Sequence, residues 1–223
     1  MTSAAPRRLP AAVFASGGGS NFQALLDHAR DVAAPWSCAL LVVDRPCGAE
    51  ERAAAEGVPV RRVPVAGRPA DEVAAETLAA LEAAGIDMIC LAGYLRLVPA
   101  PVVRRWSGRI LNVHPALLPA FGGKGMWGRH VHAAVLESGA RMSGPTVHLV
   151  DEAYDEGRIL AQWPVSVQPD DTPETLAARV LEVEHRLYPR VADHLARAIA
   201  VGHRPEPMIL SPGHFGPAEH AGP

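Results

Sequence analysis

The chain has 223 residues, which is enough to bury one substantial hydrophobic core. Its formal net charge of -3 at pH 7 leaves no excess of Lys and Arg for binding nucleic acid or an anionic membrane. The cysteines, Cys38, Cys47 and Cys90, lack the spacing of disulfide frameworks or zinc sites. With no leader or membrane span evident, we expect a cytoplasmic protein that binds small molecules, as a monomer or a homodimer.

Short apolar runs alternate with Ala-rich helical patterns from about residue 11 to residue 151, which is typical of βαβ units. The first strand, Ala11–Ser16, leads through the glycine turn SGGGSN into a helix with one apolar stripe. Further strands are predicted over Cys38–Asp44, VRRVPV, Ile86–Gly93 and RILNVH, and helices over GAEERAAAEG, ADEVAAETLAALEAAG and RHVHAAVLESG. The sequence therefore predicts a Rossmann-like three-layer α/β fold with a mainly parallel sheet.

The C-terminal part of the chain departs from this alternation. The runs PTVHLVD and ILAQWPVSV predict two strands that can pair antiparallel. A long helix is predicted to begin at Thr172, whose hydroxyl can cap it, and to kink at Pro189 or be stabilised there by tertiary packing. The Pro-, Gly- and His-rich end shows little periodicity. We expect a single domain over residues 1–201 and a tail or loosely packed extension over 202–223.

The glycine turn after the first strand is a candidate phosphate site. Backbone N–H groups and the helix dipole favour a phosphate where a strand leads through glycines into a helix. Ser20 and Asn21 add side-chain donors to Gly19 and its neighbours. A dinucleotide fits less well, because the G-x-G-x-x-G pattern fails at Phe22. We expect the phosphate of a mononucleotide or sugar phosphate, with a turn that binds nothing as the alternative.

Asn112 and His114 are the strongest candidates for chemistry. They lie two residues apart at the end of the strand in ILNVHPALLP, so alternation directs both side chains to one face. The carboxyl edge of an α/β sheet is where ligands bind, and an amide and an imidazole there can stabilise an oxyanion and move a proton. A carboxylate should orient His114. Spacing alone leaves both Asp151 and Asp155 as candidates.

No metal site is predicted. His130 and His132 flank Val131, but the sequence places no carboxylate or third histidine at helical spacing from them. Cys90 lies within an apolar run, so core packing is the better interpretation for it. The predicted chemistry is therefore acid–base chemistry that needs no metal.

Between Val13 and Pro189 the chain resembles the phosphoribosylglycinamide formyltransferase family. The resemblance lies in five segments: SGGGSN, LAGYLRLV, ILNVHPALLPAF, TVHLVDEAYDEGRIL and DTPETLAARVLEVEHRLYP. Its most specific elements are the Asn-x-His-Pro segment and the D-E-G-x-I turn. The resemblance implies transfer of the formyl group of 10-formyltetrahydrofolate to the amine of 5'-phosphoribosylglycinamide, in de novo purine (IMP) biosynthesis.

The resemblance also assigns residues to roles. It implies that Asn112, His114 and Asp155 form the catalytic group, in which Asp155 rather than Asp151 keeps His114 cationic and oriented. The residues implied for the phosphate and ribose of the substrate are Gly19, Ser20, Asn21 and Glu184. The residues implied for folate binding are Leu95, Arg96, Leu97, Val98 and Asn112. The glycine-rich stretch Gly122–Gly128 is a candidate mobile flap, with Lys124 and Trp127 as candidate ligand contacts.

Two alternatives stay open. The chain could be another folate-dependent formyltransferase, such as a methionyl-tRNA formyltransferase, or a formyltetrahydrofolate hydrolase, both of which are expected to carry a further domain. A non-catalytic nucleotide-binding module would use the glycine turn but would leave Asn112, His114 and Asp155 unexplained.

Overall fold

The computed structural model describes residues 8–210, in which strands and helices alternate. The strands are β1 (Leu9–Ala15), β2 (Trp36–Val43), β3 (Val60–Arg62), β4 (Met88–Leu91), β5 (Ile110–His114), β6 (Met142–Ser143), β7 (Thr146–Leu149), β8 (Ile159–Gln162) and β9 (Val165–Ser166). The helices are α1 (Ser20–Ala29), α2 (Gly48–Ala55), α3 (Ala70–Ala83), α4 (Ala100–Arg105), α5 (Arg129–Glu137) and α6 (Pro173–Ala200).

Seven strands form one sheet in the order β3-β2-β1-β4-β5-β7-β8. The strands from β1 to β5 pair in parallel, as their crossover helices require, whereas β7 pairs antiparallel with β5 and β8 with β7. The predicted α/β fold, with a mainly parallel sheet and antiparallel strands toward the C-terminus, is therefore confirmed. The strand order reverses between β1 and β4, and sheets of this kind bind ligands at that switch point.

Apolar clusters cover both faces of the main sheet. One cluster joins the sheet to α1 and α6 through residues such as Leu25 and Leu195. The other packs α3 and α4 on the opposite face, with Val102 at its centre. Alternation along β1 sends Val13 to the first cluster and Phe14 to the second. The sheet is thus the middle of three layers.

The prediction of one strand over ILAQWPVSV is wrong, because the run divides into β8 and β9. Only β8 joins the main sheet, and β9 pairs with β6 in a separate two-stranded sheet. Pro164 lies between the two strands and has no N–H to donate to a continuous ladder. Gly144 approaches this turn so closely that a Cβ there would lie 1.9 Å from the Trp163 carbonyl oxygen.

The long helix α6 begins at its predicted cap and continues through Pro189. The Thr175 N–H donates to Thr172 Oγ1 at 3.3 Å, which confirms the capping role of Thr172. Next to Pro189, the fully buried Tyr188 hydroxyl lies 3.0 Å and 3.1 Å from backbone carbonyl oxygens of β4 and β5. Tertiary packing, one of the two predicted outcomes, therefore supports the helix at Pro189.

The segment after α6 lies against β8. The Met208 N–H donates to the Leu160 carbonyl oxygen at 2.7 Å, and Arg158 donates to the Pro205 carbonyl oxygen at 3.2 Å. Met208 and Leu210 pack against the first apolar cluster. The rest of the predicted extension, residues 211–223, lies outside the described residues. The division into a domain over 1–201 and an extension over 202–223 stays a prediction.

Candidate active site

The loops after β1, β4 and β5 meet at the carboxyl edge of the sheet. The Ser16 N–H donates to the Gly93 carbonyl oxygen at 3.1 Å, and Ser16 Oγ accepts from the Leu95 N–H at 3.0 Å, so the glycine turn is tied to the loop after β4. A cavity of about 450 Å³ opens beside these loops, next to α5 and α6. The predicted site residues that line it are Asn21, Leu95, Asn112, His114, Asp155 and Glu184.

Asn112, His114 and Asp155 come together in the wall of this cavity. Asn112 Nδ2 lies 3.4 Å from Asp155 Oδ1, and His114 Nδ1 lies 3.4 Å from Asp155 Oδ2. Only 3% of the His114 side chain is exposed. Because little water surrounds them, the charged and polar groups of this cluster act on one another more strongly than they would at the surface.

The carboxylate of the cluster belongs to Asp155 and not to Asp151. Asp155 has a left-handed backbone with φ of 58°, and its Oδ2 accepts from the Gly123 N–H at 2.9 Å. Gly157 permits this turn, because a Cβ there would lie 1.8 Å from the Leu149 carbonyl oxygen. Asp151 instead accepts from a backbone N–H of its own loop and lines a different cavity. A steric requirement for glycine two residues after Asp155 therefore explains the D-E-G spacing.

His148 is a fourth member of the cluster, which the sequence did not predict. It pairs with Asn112 in the β5–β7 register, and its Nε2 lies 3.1 Å from Asn112 Nδ2 and 3.5 Å from Asp155 Oδ1. Its Nδ1 lies 2.8 Å from the Leu149 carbonyl oxygen, which can only accept, so Nδ1 carries the hydrogen and Nε2 is able to accept from Asn112. The antiparallel pairing of TVHLVD with ILNVH is the signal that could have identified His148.

Burial of His114 favours its neutral form. Burial lowers the pKa of His114, although Asp155 and the Phe121 carbonyl oxygen act in the opposite direction. His114 Nε2 lies 2.8 Å from that oxygen, which can only accept, so Nε2 carries a hydrogen, and Nδ1 lies 3.4 Å from Asp155 Oδ2. Asp155 thus favours the cationic form of His114 against the effect of burial, and its role in keeping His114 cationic stays a prediction. Burial raises the pKa of Asp155, but the neighbouring His148, the hydrogen bond from Gly123 and the neighbouring His114 lower it overall.

The glycine turn packs directly on α2. Gly19 has φ of 74°, and a Cβ there would lie 2.9 Å from Ala49 Cα, so the position requires glycine. The first turn of α1 begins at Ser20 and has backbone N–H groups without helical partners, which favours a phosphate. Arg52 of α2 donates to the Gly18 carbonyl oxygen at 2.7 Å. Sequence reasoning missed Arg52, because only this helix-to-turn contact brings it beside the glycine turn.

Asn21 and Glu184 join α1 to α6 at the cavity. Asn21 Nδ2 donates to Glu184 Oε2 at 2.5 Å, while Asn21 Oδ1 is buried with no hydrogen-bond partner among the described residues. Burial raises the pKa of Glu184 to about 7, against the opposing effect of the Asn21 hydrogen bond. At neutral pH Glu184 can therefore either donate a hydrogen bond to a ligand or accept one.

The predicted folate segment divides between the cavity and the core. Leu95 is 40% exposed and lines the cavity. Arg96 Nε donates at 2.9 Å to the carboxylate of Asp44, whose side chain is buried. Val98 is buried in the cluster around α3 and α4, and Leu97 is exposed beyond the cavity lining. Of these four side chains, Leu95 is the one that a ligand in the cavity would touch.

The glycine-rich stretch Gly122–Gly128 forms part of the cavity mouth. Trp127 lines the cavity and is 50% exposed, and its ring meets that of His130 edge-on with centroids 5.3 Å apart. Lys124 is exposed and is not among the lining residues. The hydrogen bond from Gly123 links this stretch to Asp155. Its role as a mobile flap stays a prediction.

The two histidines of RHVH occupy different environments. His130 is exposed, whereas His132 is 4% exposed, lines the cavity and has an Nδ1 with no partner in the described part of the chain. Burial, with His114 nearby, lowers the pKa of His132. Within residues 8–210, no group of three or more His, Cys, Asp or Glu side chains could hold a metal ion. His132 therefore gives the cavity a further neutral hydrogen-bonding group.

An amide–imidazole–carboxylate cluster at the carboxyl end of β5 in a Rossmann-like sheet is suited to acyl-type transfer. The family model described as formyl transferase matches residues 10–192. The chain belongs to the formyl transferase family, which implies a formyl donor of the folate type.

Individual relatives indicate which kind of formyl transferase the chain is similar to. The chain is 52% identical over 189 residues, 83% of its length, to the chloroplastic phosphoribosylglycinamide formyltransferase of Arabidopsis thaliana. It is 47% identical over 196 residues, 85% of its length, to the protein of the same name from Vigna unguiculata. The crystal structure of glycinamide ribonucleotide transformylase 1 from Symbiobacterium toebii is similar with a TM-score of 0.80 at 38% identity, covering 86% of this chain and 89% of that one. These comparisons confirm the resemblance that the five segments predicted.

The plant relatives also bear on length and location. The chain spans 65% and 61% of their lengths. Both are chloroplast proteins, so the prediction of a cytoplasmic location is wrong on this comparison. That prediction rested on the lack of an evident leader. The fold of a domain does not indicate the cellular compartment in which it works. No helix within residues 8–210 is long and apolar enough to cross a membrane.

Proposed function

We propose that the chain transfers the formyl group of 10-formyltetrahydrofolate to the primary amine of 5'-phosphoribosylglycinamide. The products are formylglycinamide ribonucleotide and tetrahydrofolate, in the purine biosynthetic route. The observation that carries the proposal is the meeting of Asn112, His114 and Asp155 in one cavity that also contains Asn21 and Glu184. Formyl transfer needs a hydrogen-bond donor for an oxyanion and a carrier for one proton, and this cluster supplies both.

The first step forms the new carbon–nitrogen bond. The substrate amine attacks the formyl carbon, and the formyl oxygen becomes the oxyanion of a tetrahedral intermediate. Asn112 Nδ2 donates to that oxygen, a type of contact that contributes about 3–4 kcal/mol in other enzymes. The same amide group contacts His148 and Asp155 in the structure, so one of these contacts is exchanged for the oxyanion.

The second step breaks the bond between the formyl carbon and N10. The attacking amine must lose a proton, and N10 must gain one as tetrahydrofolate leaves, so the transfer needs no net proton. With its hydrogen on Nδ1 and donated to Asp155, His114 accepts the first proton at Nε2 and returns one to N10. The imidazolium that exists between these events is stabilised by Asp155, whose Oδ2 lies 3.4 Å from His114 Nδ1.

The stretch Gly122–Gly128 takes part in this proton transfer. His114 Nε2 can accept a proton from the substrate only when its hydrogen bond to the Phe121 carbonyl oxygen opens and the imidazole hydrogen lies on Nδ1 instead. Phe121 directly precedes the stretch, and Gly123 within it donates to Asp155. A movement of the stretch on substrate binding would therefore expose His114 and adjust Asp155 together.

The substrates occupy the two ends of the site. The phosphate binds at the start of α1, where Gly19, Ser20 and Asn21 supply donors, and Glu184 contacts the ribose. The folate lies against Leu95, Asn112 and the backbone of Arg96, Leu97 and Val98. The apolar and aromatic side chains that line this part of the cavity, Leu95, Val113, Met126, Trp127 and Tyr154, suit a flat aromatic ligand.

The test is an assay of the purified full chain with a ¹³C-formyl donor, followed by NMR. We expect the label on the amine of 5'-phosphoribosylglycinamide and no labelled formate when the amine is omitted. Formate release without the amine would indicate a hydrolase, and binding without turnover a nucleotide-binding module. His114→Ala should lose most of the turnover, whereas His194→Ala, at a half-buried histidine of α6 that does not line the cavity, should not. Near wild-type turnover of His114→Ala would remove His114 from the mechanism.

The proposal keeps two expectations about the whole chain. One is a single domain over residues 1–201, and the other is a monomer or homodimer in solution. Sedimentation of the full chain and of a 1–201 fragment, each with an activity assay, tests both. An inactive, unfolded fragment would place residues beyond 201 within the domain.

A further inference from the structure

The proposed phosphate site has no cation among its predicted residues. Gly19, Ser20 and Asn21 offer neutral donors, and burial raises the pKa of Glu184 to about 7, so it is partly ionised at neutral pH. A phosphate monoester carries a charge of about −1.5 to −2 at pH 7, and charge-assisted bonds from Arg or Lys are its strongest partners. A positive charge near the turn would therefore strengthen binding.

Arg52 holds such a charge against the turn. Its Nε donates to the Gly18 carbonyl oxygen at 2.7 Å, and its Nη1 donates to Gln23 Oε1 at 3.3 Å. A Cβ at Gly19 would lie 3.3 Å from Arg52 Cδ, so the side chain passes directly beside the glycine. The two hydrogen bonds use two of the five N–H donors of the guanidinium group. Three donors remain for an anion at the start of α1.

The charge of Arg52 is not neutralised by the protein. Among residues 8–210, no carboxylate lies within ion-pair distance of Arg52. In contrast, Arg62 of β3 lies 2.8 Å from Glu50, which is on α2 like Arg52. Burial lowers the pKa of His185, and the nearby positive charge of Arg52 lowers it further. His185 Nε2 and Asn21 Oδ1 are both buried with no hydrogen-bond partner in that part of the chain. An uncompensated charge and two unsatisfied polar atoms therefore surround one turn.

We propose that Arg52 determines specificity for the phosphorylated substrate by binding its phosphate group, with His185 as a neighbouring donor. The inference rests on the proposed function for the identity of that substrate. A bound phosphate would offset the charge of Arg52 and give His185 Nε2 a partner. The competing interpretation is that Arg52 only supports the glycine turn through Gly18 and Gln23.

A comparison of two substrates separates these interpretations. The experiment measures kcat/KM for 5'-phosphoribosylglycinamide and for ribosylglycinamide without the phosphate, using wild type, Arg52→Met and Arg52→Lys. Methionine keeps much of the aliphatic stem beside Gly19 and removes the charge. Arg62→Met, which removes a half-exposed arginine on adjacent β3, is the matched control.

We expect Arg52→Met to lower kcat/KM for the phosphorylated substrate by about 10- to 100-fold, mainly through KM, because one charge-assisted bond is lost. The KM of the formyl donor should stay within about twofold. Arg52→Lys should fall between wild type and Arg52→Met, and Arg62→Met should match wild type. The loss should largely disappear with the unphosphorylated substrate, because the lost partner of Arg52 is the phosphate itself.

Equal losses with both substrates, or no loss with either, would overturn the role of Arg52 in phosphate binding. Calorimetric titration with ribose 5-phosphate gives a readout that does not depend on formyl transfer. If wild type showed no transfer, the proposed function would fail, and this titration would still decide on Arg52. Weaker ribose 5-phosphate binding to Arg52→Met than to Arg62→Met supports the inference, and equal binding contradicts it.

Discussion

Replacing Glu184 with glutamine should change how the stability of the protein depends on pH. Glu184 is buried on α6, and burial raises its pKa to about 7 from an ordinary value of 4.5. Between these two pH values the folded state holds a proton that the unfolded state has released. The free energy of unfolding of the wild type must therefore fall as pH rises through this range. Glutamine has nearly the same shape and can still accept from Asn21 Nδ2, but it does not ionise.

The size of the effect follows from the two pKa values. Each pH unit between 4.5 and about 7 corresponds to about 1.4 kcal/mol, so the full difference is about 3 kcal/mol. Relative to wild type, Glu184→Gln should gain about 3 kcal/mol between pH 4.5 and pH 8. For a chain of this length that corresponds to roughly 6–12 °C in Tm.

Urea unfolding of wild type and Glu184→Gln at pH 5, 6, 7 and 8 measures this difference. Glu182→Gln, at an exposed glutamate on the same helix, is the matched control and should follow the wild-type profile. A stability difference between Glu184→Gln and wild type that does not change with pH would refute the reasoning, because it would mean that Glu184 ionises alike in both states.

Three further substitutions test the site and its support. Asp155→Asn should lower kcat by about 100-fold or more in a steady-state assay, because a neutral amide cannot stabilise the imidazolium of His114, while calorimetry should show unchanged binding of the phosphorylated substrate. Gly157→Ala should lower kcat by about tenfold in the same assay, because its Cβ would lie 1.8 Å from the Leu149 carbonyl oxygen and the turn that carries Asp155 must move. Tyr188→Phe should lower the free energy of unfolding in urea by about 1–2 kcal/mol and leave kcat unchanged.

Each of these has a contrary result. Wild-type turnover of Asp155→Asn would show that the carboxylate is not needed by His114. An unaffected Gly157→Ala would show that the turn adapts without moving Asp155. A Tyr188→Phe protein as stable as wild type would show that the hydroxyl contacts with β4 and β5 contribute nothing net.

The regular part of the fold could be predicted from the sequence, because its signals are local. The apolar runs of β1 and β5 and the stripe of α1 depend on periodicities of two and 3.6 residues. Within ILAQWPVSV, Pro164 is a local signal of an interrupted strand that the prediction did not use. The pairing of β9 with β6 has no local signal, because β6 lies in a distant part of the chain.

The candidate site, too, could be predicted only where local sequence signals position its residues. Asn112 and His114 share a face because of strand alternation, which is a local property. Asp155, His148 and Arg52 reach the site through a steric turn, an antiparallel register and a helix-to-turn contact, respectively. Burial in the folded protein lowers the pKa of His114, and no local pattern in the sequence gives that degree of burial.

The most direct test of the account is a crystal structure of the chain with 5'-phosphoribosylglycinamide and a folate analogue. The account predicts the N10 position of the analogue and the substrate amine within about 4 Å of the Asn112 and His114 side chains, since reacting atoms must lie close together. It also predicts the phosphate at the start of α1. An analogue whose N10 lies on the far side of the cavity, or a phosphate bound away from the glycine turn, would contradict formyl transfer at this site.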